Sequence, residues 1–482
     1  GLVLPIDFEL GVICYSLLPF GLDYIKRNPE LKKPFSPPIK LEGMPLDKFM
    51  EHISDGDIHA QQARLIPTYK TGDELALASI FLSGVKLVKE FREKVCSEIK
   101  FKKAGKQYFF TEVVFSHKEF GDCRFDGLML SVVGGKIKDF VFFEFKGKNG
   151  KLESDQVDRY VKFIRKNYRG NKLVTVSTEY VADPTQRPYK IGALPKGFEV
   201  YHLSWSYIKT MAHLLLFDND ENIEDEDQVE ILREVLNYFE SDSIGLKGYS
   251  QMKSGWRSVV ESIKTGVKPN PDDVEEAVQS WLEEQTDMAH ILSQELGAMV
   301  KTCSAKKDQR LKARLKSESQ ELLKNDKLTF NLQVKGVASE VVVWANFRKE
   351  TVGMSFSVLP PTDRGNSARV TYIEKELQRC EKNNHDTMAK IDGDLFVDVH
   401  VKYASSDERF PKSETYRIRD EISNSPDINE FKIVYIKSLG AKFKSSKGFV
   451  DIIEQMMVDF YQGVVQNARP WTPPAPRIQK AE

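Results

Sequence analysis

The chain reads as an α/β protein with a mixed-sheet core, a helical middle region and a separate α+β domain at its C-terminal end. Three observations predict this. A stretch of helical recurrence gives way to three runs of strand periodicity. A helix–strand–strand–helix succession then closes a unit of normal domain size. Strand patterns return only after a helical stretch over residues 228–325.

Taken in order, residues 1–66 open with an apolar run, Leu2 to Phe20, interrupted by Asp7 and Glu9. No basic residue precedes the run, so it reads as a buried helix or strand pair, with neither a signal peptide nor a membrane span expected. The proline-bearing segment Pro34–Pro38 reads as loop. A long helix is expected from Glu74 to about Cys96, with Leu75, Ala78, Phe81, Leu82, Val85, Val88 and Phe91 recurring on one side. Strands are expected at Tyr108–Ser116, Phe125–Val133 and Asp139–Lys146, the last two joined by a Gly134-Gly135 hairpin. Ser154 can cap a helix running to about Asn167. Short strands follow at Lys172–Ser177 and Phe198–Leu203, and a helix from Ser204 to Phe217 ends the unit.

An acidic run from Asp218 to Asp227 reads as a solvated linker into helical patterns, among them Pro271–Val300 and a basic segment at 306–316. Strands are expected again at Phe330–Val334, Val341–Trp344, Met354–Val358, Leu395–Val401 and Phe431–Ile436. Helices are expected at Val370–Asn383 and Phe449–Tyr461, before a proline-rich tail from Asn467. The 482-residue length calls for more than one core. The expected division is an extension at 1–66, a core at 67–217, a linker and helical region at 218–325 and the C-terminal domain at 326–482.

Seventy basic against seventy-one acidic residues leave a net charge of -1, so any contact with nucleic acid must come from a local patch. The five cysteines are far apart and without zinc spacing, which points to a reducing, cytoplasmic setting rather than a disulfide framework. Phosphate-binding loops, dinucleotide fingerprints, zinc-protease motifs and serine-hydrolase elbows are missing.

The chemistry concentrates between Arg124 and Tyr160, in Arg124-Phe125-Asp126-Gly127-Leu128, Phe142-Phe143-Glu144-Phe145-Lys146-Gly147-Lys148 and Gln156-x-x-x-Tyr160. Alternation puts Glu144 and Lys146 on one face of their strand and Phe143 and Phe145 on the other. The Gly134-Gly135 hairpin can bring Asp126 to the same place. Two carboxylates form a hard-oxygen site suited to magnesium, and a neighbouring lysine can orient a metal-bound water or neutralise a phosphate oxygen. Gln156 and Tyr160, four residues apart, share a helix face. Acidic-x-Lys triplets also arise freely in so charged a chain: Glu430-Phe431-Lys432 repeats the triplet but lacks a following Gln-x-x-x-Tyr helix. Asp122 is a spare carboxylate expected in a turn.

In combination these motifs resemble the PD-(D/E)xK nuclease superfamily, in its branch with a RecB-type Gln-x-x-x-Tyr extension, over residues 72–203 at most. The resemblance implies a restriction-endonuclease-like core and a nuclease dependent on Mg²⁺ or Mn²⁺, most readily acting on DNA. Asp126 and Glu144 would hold the metal, with the Phe145 carbonyl as a further ligand, and Lys146 would be the catalytic lysine. Glu74 matches the family's N-terminal helix glutamate, though a charge in a first helical turn is its other reading. Gln156 and Tyr160 would steady the nucleic acid backbone or the lysine. Phe125 stands where the motif's proline is expected. The other functional class is an inactive nuclease fold that binds nucleic acid or assembles a complex. A protein partner, if there is one, would use residues 326–482.

Overall fold

The computed structural model describes residues 41–471, apart from 67–69, 103, 118–120, 149, 168–171, 182, 218–221, 247, 304–310 and 423–425, together with a strand pair near the N-terminus. That pair, β1 (Val3–Asp7) and β2 (Ile13–Leu17), is antiparallel, one of the two forms expected for the apolar run. The Pro34–Pro38 loop and most of the proline-rich tail lie outside the described residues.

Six strands make the first sheet, in the order β3 (Ile58–Gln62), β4 (Lys106–His117), β5 (Gly121–Val133), β6 (Lys136–Phe145), β7 (Lys172–Ser177) and β8 (Glu199–Ser204). Neighbours from β3 to β6 run antiparallel, whereas β6, β7 and β8 run parallel, so the sheet is mixed as expected. Gly134 and Gly135, with φ of 58° and 73°, supply the left-handed turn that a two-residue hairpin requires. A parallel step needs a crossover, and the helix at Ser154–Asn167 provides it between β6 and β7.

Helices cover both faces, which is why these strands are nearly continuous in apolar residues. One face packs Met129, Val141, Phe143 and Phe145 against helices α2 (Glu74–Leu87), α3 (Lys89–Glu98), α5 (Trp205–Leu215) and α6 (Glu226–Glu240). The other packs Leu128, Leu130, Phe140 and Phe142 beneath α1 (Leu46–Ser54) and α4 (Ser154–Asn167). The helix expected from Glu74 to Cys96 is therefore two. Val88, fully buried, takes an extended conformation (φ −104°, ψ 111°) between α2 and α3, and Gln228 of α6 accepts the Lys89 N–H that the break exposes.

The second sheet has seven strands and is antiparallel throughout. They are β9 (Lys301–Cys303), β10 (Lys327–Gln333), β11 (Val341–Asn346), β12 (Thr351–Val358), β13 (Leu395–Val401), β14 (Glu408–Pro411) and β15 (Ile428–Ser438). Its core draws on helices that precede residue 326. Trp256 of α7 (Ser254–Thr265) stacks on Trp281 of α8 (Pro271–Leu296), and both rings pack on Phe449. The helical stretch after the acidic run is thus shared: α6 completes the first core, and α7 and α8 build the second. Among the described residues no helix is long and apolar enough to cross a membrane.

Candidate functional site

The pairing of β5 with β6 runs from the hairpin to Gly127 opposite Phe143 and stops there. Asp126 and Glu144 are the next residue on each strand. Where the ladder ends, the Phe145 N–H donates to Asp126 Oδ2 at 2.7 Å, while the Lys146 N–H turns to the carbonyl of Val176 on β7. On the other side of β5 the ladder is interrupted too: Thr111 and Val113 pair with Gly127 and Phe125, but Glu112 between them has φ of 54°. The β3–β4 register shifts at the same level, so β4 carries a bulge beside Asp126. Glu112 is anchored by Arg124 at 2.5 Å and Gln61 at 3.0 Å.

Glu144 is the hub. Its Oε1 accepts from Lys146 Nζ at 2.8 Å and from Gln156 Nε2 at 2.7 Å. Lys146 Nζ also donates to Glu74 Oε2 at 3.2 Å, and Gln156 Nε2 lies 3.1 Å from the Tyr160 hydroxyl. That hydroxyl donates to the Arg124 carbonyl at 2.6 Å, which ties helix α4 to β5 next to Asp126. Strand alternation holds: Glu144 faces α4, while Phe143 and Phe145 lie 6.1 and 5.5 Å from Phe81 of α2. Gly127 lets α2 lie this close, because a Cβ there would stand 2.8 Å from Leu82 Cδ1.

Burial sets the electrostatics. Glu144 is 2 % exposed, and its Oε2 has no hydrogen-bond partner. Desolvation lifts the Asp126 carboxyl well above its ordinary value, and the Glu144 charge adds to the rise. Glu144 is raised as well, again chiefly by burial, against the pull of Lys146. Burial alone would lower Lys146, but Glu144, Glu74 and Asp126 together raise it, so it is held as an ammonium ion.

A divalent cation fits this donor set, because two buried carboxylates, one with an orphaned oxygen, share the single Lys146 ammonium, on which Glu74 also draws. Among the described residues no three His, Cys, Asp or Glu side chains are grouped to hold an ion. Glu74 lies across Lys146 from Glu144, so Asp126 and Glu144 are the two carboxylates that could share one.

Asp126, Glu144, Lys146, Gln156, Tyr160 and Glu74 therefore meet in one hydrogen-bonded and charge-coupled cluster, with Phe145 contributing its N–H. Gln156 reaches Glu144, whereas its expected partners were the lysine or the nucleic acid. Asp122 lies inside β5, opposite Ser116, instead of in a turn. Lys432 of the second triplet pairs with Asp407 at 2.9 Å. Two participants carried no sequence signal. Trp205 donates from Nε1 to the Lys146 carbonyl at 2.8 Å. Gly150 presses on the cluster, since a Cβ there would stand 2.7 Å from Glu74 Oε1 and 3.0 Å from Lys146 Cδ. Comparison with protein-family models, curated proteins and solved structures finds no match to this chain.

Proposed function

We propose that the chain is a divalent-cation-dependent nuclease with a restriction-endonuclease-like core, hydrolysing phosphodiester bonds in DNA. The observation that carries this reading is Glu144: one oxygen holds Lys146 and Gln156, the other is buried without a partner, and Asp126 stands beside it. Asp126 and Glu144 would hold Mg²⁺ or Mn²⁺, which when bound supplies a Lewis acid and an acidified water. Lys146 brings fixed positive charge to the place where a phosphate oxygen would sit. Gln156 fixes the Glu144 carboxylate, Tyr160 fixes Gln156 to β5, and Trp205 holds the Lys146 backbone. Phosphate is drawn to the exposed Lys148 and Lys151 on the loop after Lys146. The choice of DNA rests on the motif resemblance.

The second reading, an inactive module that binds nucleic acid, is favoured by the engagement of Glu74 with Lys146, which leaves two carboxylates for a cation. Cleavage of supercoiled, linear and single-stranded DNA and of RNA, with Mg²⁺, Mn²⁺ or chelator, separates the two. A nuclease cuts only with the cation and loses cutting in Asp126→Asn. A binding module retains the nucleic acid uncut under every condition.

A further inference from the structure

Away from the carboxylate cluster, α8 meets the β8–α5 corner across a cavity of about 800 Å³. Pockets of this size at a junction between structural units are common ligand sites. Its lining includes Lys94 and Glu98 of α3, Asp183, Tyr207 of α5, His290 of α8 and Lys301 of β9. The Tyr207 ring lies 5.6 Å from that of His290, and burial together with the nearby Glu98 charge raises the Tyr207 hydroxyl's pKa.

His290 decides what the cavity asks for. It is 6 % exposed, and its Nδ1 lies 2.9 Å from Ser206 Oγ. The Ser206 hydroxyl donates to Asp287 Oδ1 at 3.3 Å, so its oxygen is left to accept from the imidazole Nδ1–H. Burial lowers the His290 pKa to about 4, which keeps the ring neutral. Nε2 is then a bare acceptor, and among the described residues nothing donates to it. An unpartnered acceptor facing a cavity gains from a ligand N–H or O–H. Glu98 and Asp183 add acceptors to the wall, while the exposed Lys94 and Lys301 bring positive charge to it.

We propose that this cavity binds a free nucleotide whose base carries an exocyclic amino group, the amine donating to His290 Nε2, the base lying along Tyr207 and the phosphate meeting Lys94 and Lys301. This site is separate from the carboxylate cluster and does not depend on the nuclease reading.

Calorimetric titration of the full chain with AMP, adenosine and purine riboside 5′-monophosphate, which lacks the amino group, tests it. AMP should bind at least about tenfold more tightly than the purine riboside nucleotide, since only AMP donates to His290 Nε2. The surface double variant Lys94→Ala/Lys301→Ala should weaken AMP by about tenfold and leave adenosine unchanged. His290→Phe should erase the preference for the amine, and Asp126→Asn should bind AMP as the wild type does, whether or not the wild type cuts DNA. No binding of AMP at millimolar concentration, or equal binding of AMP and the nucleotide without the amine, overturns the proposal. Both readouts come from the wild-type chain and need no variant to fold.

Discussion

The backbone N–H of Phe145 donates to Asp126 Oδ2 at the point where β5 and β6 cease to pair. A side chain replaces the ladder there, so the two strands end in a carboxylate pair instead of a further rung. Asp126 and Glu144 are both buried and both raised, chiefly by desolvation. Asp126→Asn keeps an acceptor for the Phe145 N–H while removing one of two crowded charges. It is expected to raise stability by about 1 kcal/mol or more in denaturant unfolding, while cation-dependent cleavage disappears. A destabilised variant would show that the Lys146 ammonium already balances the Asp126 charge.

Tyr160→Phe removes the hydroxyl that bonds to the Arg124 carbonyl and contacts Gln156. Tyr160 is 3 % exposed, so the carbonyl is left with little access to water. A loss of about 1–2 kcal/mol is expected from chemical unfolding. Cleavage should fall less than in Lys146→Ala, for which a drop of about 100-fold or more is expected. Equal losses in the two variants would give Tyr160 a direct part in the chemistry.

Gly150→Ala places a methyl group against Glu74 Oε1 and Lys146. The Glu74 side chain is 37 % exposed and can swing aside, so the melting transition should move little. The Lys146 ammonium would lose one of its two carboxylates, and cleavage should drop by about tenfold. Unchanged cleavage would show that the Glu74–Lys146 contact is dispensable.

Asp287 of α8 joins the two cores. It accepts from Tyr180 at 2.7 Å, from the Tyr249 N–H at 3.0 Å and from Ser206 at 3.3 Å. Burial lifts its pKa from 3.8 to about 6. The folded state therefore holds a proton that the unfolded chain releases, so this group's contribution is fully present below about pH 4 and is lost as pH rises through 6. The gap is worth on the order of 3 kcal/mol. Unfolding from pH 4 to 7 should show wild type losing stability relative to Asp287→Asn by that amount. A constant difference between the two would mean that Asp287 is ionised throughout.

Much of the first sheet was legible because its signals are local. Short apolar runs bounded by turn residues marked β4, β5 and β6, the glycine pair marked the β5–β6 hairpin, and Ser204 caps α5 by accepting the Tyr207 N–H. The site was legible in part for the same reason. Alternation puts Glu144 and Lys146 on one face, and helical spacing does the same for Gln156 and Tyr160. What stayed hidden depends on partners distant in sequence. Val88 breaks a helix whose apolar recurrence runs straight through it, because Gln228 of α6 accepts the freed N–H. Trp205 reads as an ordinary core aromatic until its indole meets the Lys146 carbonyl. The edge strand β3 is short and half polar, so alternation barely registers. The acidic run could not reveal that α6 packs backward on the first sheet while α7 and α8 pack forward on the second.

The most direct measurement titrates Mn²⁺ into wild type, Asp126→Asn and Glu144→Gln and then follows DNA cleavage by the same preparations on addition of Mg²⁺. Asp126 and Glu144 as joint ligands require one binding event in wild type, absent from both variants, with cutting that follows it. Binding and cutting that persist in either variant would contradict this, as would a wild type that takes up no cation.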